Sequence, residues 1–216
     1  MYCLPWIKAR RARQEKDKLF LYNKMRAKIK TADSLVWQTN TVIGKIIQCL
    51  YRSPYTHVSI IVRFLEYDFE RVYVLEEHKH GAVLLPLSDR IIAHNGHAWV
   101  FPLNPDLDTI RKSMAAWALS LQGTKFDYKG LLENIGHRIS EDTKKMICSA
   151  YYWLAFEEGA GIKRDESGVK YAAPTNLAQS IHRKVDEKIG KDRVPRPSDW
   201  PILQACDLFT EPYKIL

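Results

Sequence analysis

The chain has 216 residues, 46% hydrophobic and 27% charged, with ten Gly, ten Pro and four Cys; this composition excludes a disordered, collagenous or disulfide-framework protein. At that length one core buries roughly 70% of the unfolded chain's surface, so a single domain with attachments is expected. The net charge of +8 resides in residues 1–30, which hold ten bases and two acids, while the rest hold 23 of each sign; this argues against a dedicated nucleic-acid-binding domain, whose basic stripe sits on the fold itself.

Residues 6–30 read as one helix: no Gly or Pro follows Pro5, and Leu19, Tyr22, Met25 and Ile29 form an apolar stripe that can dock onto the domain while the bases face solvent. Two readings of those bases stay open, a solvated helix face and a contact with an anionic partner such as nucleic acid, a membrane surface or an acidic protein. Residues 34–38 follow as a short strand, and 39–51 as a helix with Val42, Ile43, Ile46, Ile47 and Leu50 on one side. After the Arg52-Ser53-Pro54 break come β-branched strands at 56–64, 71–77 and 82–87. A short helix after Ser88-Asp89 leads to a strand at 98–101. Asn104-Pro105 starts a helix expected to run to Gln122, stopped by Gly123. Further helices are expected around 128–136, at 147–159 and, shorter, at 174–180; the Pro-rich tail from Val194 reads as irregular.

Strands grouped between helices predict an α+β fold with an antiparallel sheet. The expected division is a basic helical arm (1–30), a main domain (31–182) and a C-terminal extension packed on it (183–216). No apolar run approaches the length of a membrane span, and the basic start lacks the apolar stretch of a secretory signal; both favour a cytoplasmic or virion-associated setting. The four cysteines have no CxxC spacing, so neither zinc nor any other cofactor is expected. His78, His80, His94 and His97 read as loop residues in preference to metal ligands.

Three positions have chemical promise. Cys148 begins an apolar helix just after Lys144 and Lys145, where the helix dipole and nearby ammonium groups favour a thiolate. His57 begins a strand, facing away from Val58, Ile60 and Val62. Glu76 ends the neighbouring strand on the face of Val72 and Val74, where a carboxylate can fix an imidazole. Each also has a plain explanation: a small core cysteine, a satisfied strand histidine, a solvated strand end. Their spacing alone does not bring them together.

Taken in order, several segments carry a resemblance: Ala32-Asp33-Ser34-Leu35-Val36; Tyr55-Thr56-His57-Val58-Ser59-Ile60; Val74-Leu75-Glu76 with Gly81-Ala82-Val83; Leu121-Gln122-Gly123 leading to Lys125-Phe126-Asp127-Tyr128; Ile147-Cys148-Ser149-Ala150; and Ala173-Pro174-Thr175-Asn176-Leu177. The chain resembles the circularly permuted branch of the NlpC-type, papain-like cysteine peptidase and amidase superfamily, which includes relatives of lecithin retinol acyltransferase and a poxvirus virion protein. The resemblance implies a permuted papain-like fold with Cys148 as nucleophile, His57 as base and Glu76 as orienting residue. Tyr55 and Ser149 would lie at the substrate or oxyanion position, and Glu77 replaces Glu76 if the register slips by one. Two departures stand out: Ala150 where many relatives have Glu, and Phe126 where many have Tyr.

The expected activity is a cysteine hydrolase that cleaves an amide bond, in a peptide or cell-wall peptide, through a thioester. Two alternatives stand beside it. One is a thiol acyltransferase or lipid deacylase on the same fold; the other is a non-enzymatic binding module of a virion or complex.

Overall fold

The computed structural model describes residues 5–66, 69–78, 81–123, 147–165, 168–171, 176–190 and 194–216. Among them the order is α1 (Pro5–Met25), β1 (Ser34–Thr39), α2 (Val42–Tyr51), β2 (His57–Glu66), β3 (Phe69–His78), β4 (Gly81–Pro86), α3 (Leu87–Ala93), β5 (Gly96–Phe101) and α4 (Arg111–Ser120). Then follow α5 (Ile147–Gly159), β6 (Ile162–Asp165), β7 (Gly168–Tyr171), α6 (Asn176–Ile189), α7 (Trp200–Ala205) and β8 (Tyr213–Lys214). Six strands form one antiparallel sheet in the order β4-β3-β2-β1-β5-β8, and β6 and β7 make a separate hairpin. The fold is α+β, with the sheet packed against helices.

The alternation of strand residues sorts two cores. Val36, Val58, Ile60, Val62 and Leu75 face a large cluster with α4, α5, α6 and α7, which supply Met114, Tyr152, Phe156, Ile181 and Trp200. Leu35, Trp37, Ile61, Val72 and Val74 face a second cluster, closed by Tyr22 and Ile29, by Leu87 and Ile91 of α3, and by the C-terminal Ile215 and Leu216. The basic helix is therefore fastened at its C-terminal end: Leu19 and Met25 pack beside Tyr22, and Arg63 donates to the Ile29 and Arg26 carbonyls at 2.6 and 2.8 Å.

A buried ion pair clamps the start of β1. Asp33 accepts from Arg111 Nη1 at 2.7 Å and from the Lys30 and Leu103 backbone N–H groups at 2.8 and 3.0 Å. Arg111 also donates to the Leu103 and Thr31 carbonyls, at 2.7 and 2.6 Å. A buried charge persists only when its hydrogen-bonding capacity is filled in this way.

Four segments depart from the sequence reading. The stretch from Asn104 is two elements: the Asn104 side chain accepts from Asp106 N and caps a 3-10 turn, Pro105–Ile110, before α4 begins at Arg111. The helix expected at 174–180 continues to Ile189, where Gly190 at φ 98° ends it in the left-handed conformation that costs glycine least. The tail is not irregular: Pro201 sits in the first turn of α7, a position that starts helices, and β8 joins the sheet beside β5. On α2, three of the five aliphatic residues expected on one side, Val42, Ile43 and Ile46, are exposed, while Ile47 is half-buried. The β6–β7 hairpin had no expectation, and the helix expected at 128–136 lies outside the described residues.

Candidate active site

α5 is apolar on every side, as a helix enclosed by protein must be; Tyr151, Tyr152, Trp153 and Phe156 are all buried. Two phenols set its position along its axis. Tyr152 donates to the Ala32 carbonyl at 2.7 Å and Tyr151 to the Ala118 carbonyl at 2.5 Å. Cys148, in the first turn, is thereby held against the start of β2.

His57 opens β2. The preceding Thr56 is fixed by its N–H to the Trp37 carbonyl (2.8 Å) and by its hydroxyl to the same carbonyl and to Thr39 Oγ1, both at 3.0 Å. The imidazole enters the site from a pinned strand end. Its ring lies within hydrogen-bonding reach of the Cys148 sulfur, and its Nε2 stands 3.8 Å from Glu76 Oε2, an ion-pair distance.

Glu76 is almost wholly buried. Pairing of Ile60 with Leu75 places Ser59 beside it across the ladder. The Ser59 hydroxyl donates to Oε1 at 2.7 Å, and Arg90 Nε, from α3, donates to Oε2 at 2.8 Å. Trp37 ties these together: its Nε1–H donates to Ser59 Oγ at 2.7 Å, and the Arg90 guanidinium lies 4.5 Å from its ring centre.

The electrostatics favour a charge-separated pair. Burial alone lowers the His57 pKa, but the negative charge on Cys148, the hydrogen bond to it and the Glu76 carboxylate outweigh burial and raise it to about 10. Burial raises the Cys148 pKa; the charge and hydrogen bond of His57, with the Val58 and Ser149 backbone N–H groups, reverse that and bring it below the ordinary thiol value. Glu76 follows the same pattern: burial pushes its pKa up, and His57 and Arg90 bring it well below the usual carboxylate range. The two shifts act in the direction of a thiolate beside an imidazolium.

The structure thus brings Cys148, His57 and Glu76 together. Glu77 pairs with Ala82 in the backbone register of β3 and β4. Ser149 is fully buried, and its backbone N–H reaches the Cys148 sulfur. Tyr55 is half-buried and packs edge-on against Trp99 and Phe101 of β5, with ring centres 5.5 and 5.8 Å away. Of the candidate metal ligands, His94 donates its Nε2–H to the Gln38 carbonyl (2.9 Å), and burial lowers its pKa to about 4. Lys144, Lys145 and the 124–128 and 173–175 segments of the resemblance lie outside the described residues.

Sequence reading missed Trp37, Ser59 and Arg90. Ser59 had a usable signal, since it stands two residues beyond His57 on one strand and must share its face. Arg90 and Trp37 had none; they arrive from separate elements.

No known protein family matches the chain, and no curated protein matches it. Among solved structures, the chain is similar to the metalloprotein yiiX from Escherichia coli O157:H7, DUF1105, with a TM-score of 0.48 and 21% sequence identity, over 87% of this chain and 96% of that one.

Proposed function

We propose that the chain is a cysteine hydrolase that cleaves amide bonds of a peptide or cell-wall peptide substrate through a Cys148–His57–Glu76 triad. One observation carries the reading: His57 is bracketed between the Cys148 sulfur and the buried Glu76 carboxylate, the arrangement that activates a thiol nucleophile.

The thiolate attacks the carbonyl carbon, and the backbone N–H of Cys148 at the helix start donates to the oxyanion, a contribution of about 3 kcal/mol to the transition state. The tetrahedral intermediate collapses as the His57 imidazolium gives its proton to the departing amine, leaving a thioester on Cys148. Neutral His57 then takes a proton from water, the hydroxide adds to the thioester, and the acid product leaves with the thiolate restored. Glu76 keeps the imidazole ring oriented and stabilises its charged form, while Arg90 and Ser59 hold Glu76.

The test is the pH dependence of iodoacetamide alkylation, resolved cysteine by cysteine with mass spectrometry, in wild type and His57→Ala. The expected result is fast modification of Cys148 well below the ordinary thiol pKa of about 8.5, lost in His57→Ala. If Cys148 alkylates no faster than Cys206, or is indifferent to His57, the reading fails.

A further inference from the structure

The polarity of α2 is inverted. A helix on the surface of a globular domain turns its apolar stripe inward. Here Gly44 is buried and Ile47 and Gln48 are half-buried, while the outward side is Val42, Ile43 and Ile46, which are 77%, 71% and 54% exposed. The inward contact cannot be exchanged for an apolar one. A Cβ on Gly44 would lie 2.3 Å from the Thr39 carbonyl oxygen, so only glycine permits this close approach to β1. Gln48 Nε2 donates to that same carbonyl at 3.0 Å, and Thr41 caps the first turn. The helix is fastened in an orientation that keeps Val42, Ile43 and Ile46 in water.

The chain segment that carries that face has one sign of charge. From residue 34 to residue 65 the chain has three bases, Lys45, Arg52 and Arg63, and no acid; Lys45 lies between the aliphatic residues on α2 and Arg52 at its C-cap, both exposed. The basic helix α1 does not extend this patch: it contributes Glu15 and Asp17 as well as Arg10 and Lys18 to the cleft beside Asn40, and the Lys18 ammonium donates to the Ile92 and His94 carbonyls.

We infer that α2 is a membrane-docking element: Val42, Ile43 and Ile46 insert at the headgroup–acyl boundary of an anionic bilayer, with Lys45 and Arg52 on its phosphates. Shallow apolar insertion flanked by Lys and Arg is the chemistry of interfacial helices. A second copy of the chain fits worse, since two facing α2 helices would oppose Lys45 to Lys45, and three side chains fall far short of the surface a stable dimer buries. A nucleic acid accounts for the bases and leaves the aliphatic residues without a role. The segment from Arg52 to Thr56 connects α2 directly to His57, so docking would set the catalytic histidine a few residues from the lipid surface.

The surface and the catalysis are separable, and so is the test. The full chain is co-sedimented with phosphatidylcholine vesicles with and without phosphatidylglycerol, at low and high salt. Wild type and Cys148→Ala should both sediment with the anionic vesicles only, and salt should weaken them. Ile43→Asn with Ile46→Asn should reduce binding at least about tenfold, and Lys45→Glu with Arg52→Glu should do likewise, each with an unchanged melting temperature. Absence of sedimentation overturns the inference, as does sedimentation that the α2 variants leave untouched. A concentration-dependent dimer removed by Ile43→Asn and Ile46→Asn would assign the face to a second copy. A large drop in melting temperature would show that the chain itself covers it. Either result also overturns the inference.

Discussion

Arg90 holds Glu76 from the side opposite the hydroxyl of Ser59, its Nε 2.8 Å from one carboxylate oxygen while Ser59 Oγ lies 2.7 Å from the other. The orienting carboxylate thus has its own support, assembled from α3, β1 and β2. A buried carboxylate that loses one such partner retains its desolvation cost without the compensation. Arg90→Ala should lower stability by about 2–3 kcal/mol in urea denaturation, and Ser59→Ala by about 1–2 kcal/mol because it also strands the Trp37 indole N–H. If both variants match wild type within about 0.5 kcal/mol, Glu76 does not depend on this support.

Cys148→Ser should abolish turnover of any substrate the protein hydrolyses and leave the melting temperature within about 2 °C. The replacement is close in volume, but a serine hydroxyl is a far poorer nucleophile beside this histidine. A large loss of stability instead would make Cys148 a packing residue of the core.

The triad also predicts a pH profile for stability. His57 has a folded pKa of about 10, above its ordinary 6.5, so its contribution is complete below 6.5 and fades as the pH climbs through 10. Glu76 is shifted down from its ordinary 4.5, so its contribution is present above 4.5 and fades as the pH falls through its lower folded value. Both are in full force between about pH 5 and pH 6.5. Urea unfolding of wild type and His57→Gln from about pH 5 to pH 10 should show the largest difference below about pH 6.5 and a shrinking one toward pH 10; a difference independent of pH would show that His57 is uncharged in the folded protein.

A second buried histidine should behave similarly. His182 of α6 lies 2.6 Å from Glu157 on α5 and 3.4 Å from Asp186. Burial lowers its pKa, but the two carboxylates outweigh burial and raise it above 6.5. Its stabilisation is complete below 6.5 and disappears as the pH rises through that higher folded value. His182→Gln should therefore destabilise more at about pH 6 than at about pH 9 in thermal melts, and equal losses at both would mean that the ring is neutral throughout.

Much of the sheet was readable because its strands carry their own pattern. Valines and isoleucines at alternate positions from Val58 to Val62, and at Val72 and Val74, mark the strands and the faces of His57 and Glu76 without outside information. The same rule failed on α2. Helical spacing places Val42, Ile43 and Ile46 together but says nothing of which side faces the protein, and that was decided by the close approach of Gly44 to Thr39. The two-residue strand β8 is too short to have a period. Trp37 and Arg90 converge on Glu76 from elements whose packing no local pattern encodes.

The hairpin β2–β3 has consequences for the order in which the site comes into being. Its strands are adjacent in sequence, so His57 and Glu76 come together through local pairing, whereas Cys148 lies more than seventy residues beyond Glu76. Local contacts close before distant ones because less chain entropy is lost. A growing chain would thus carry His57 and Glu76 well before Cys148, and the Cys148 thiol would stay an ordinary, mostly protonated one until α5 docks. Enhanced alkylation of Cys148 would then serve as a clock for the final step of folding, reporting the moment when the two halves of the molecule meet.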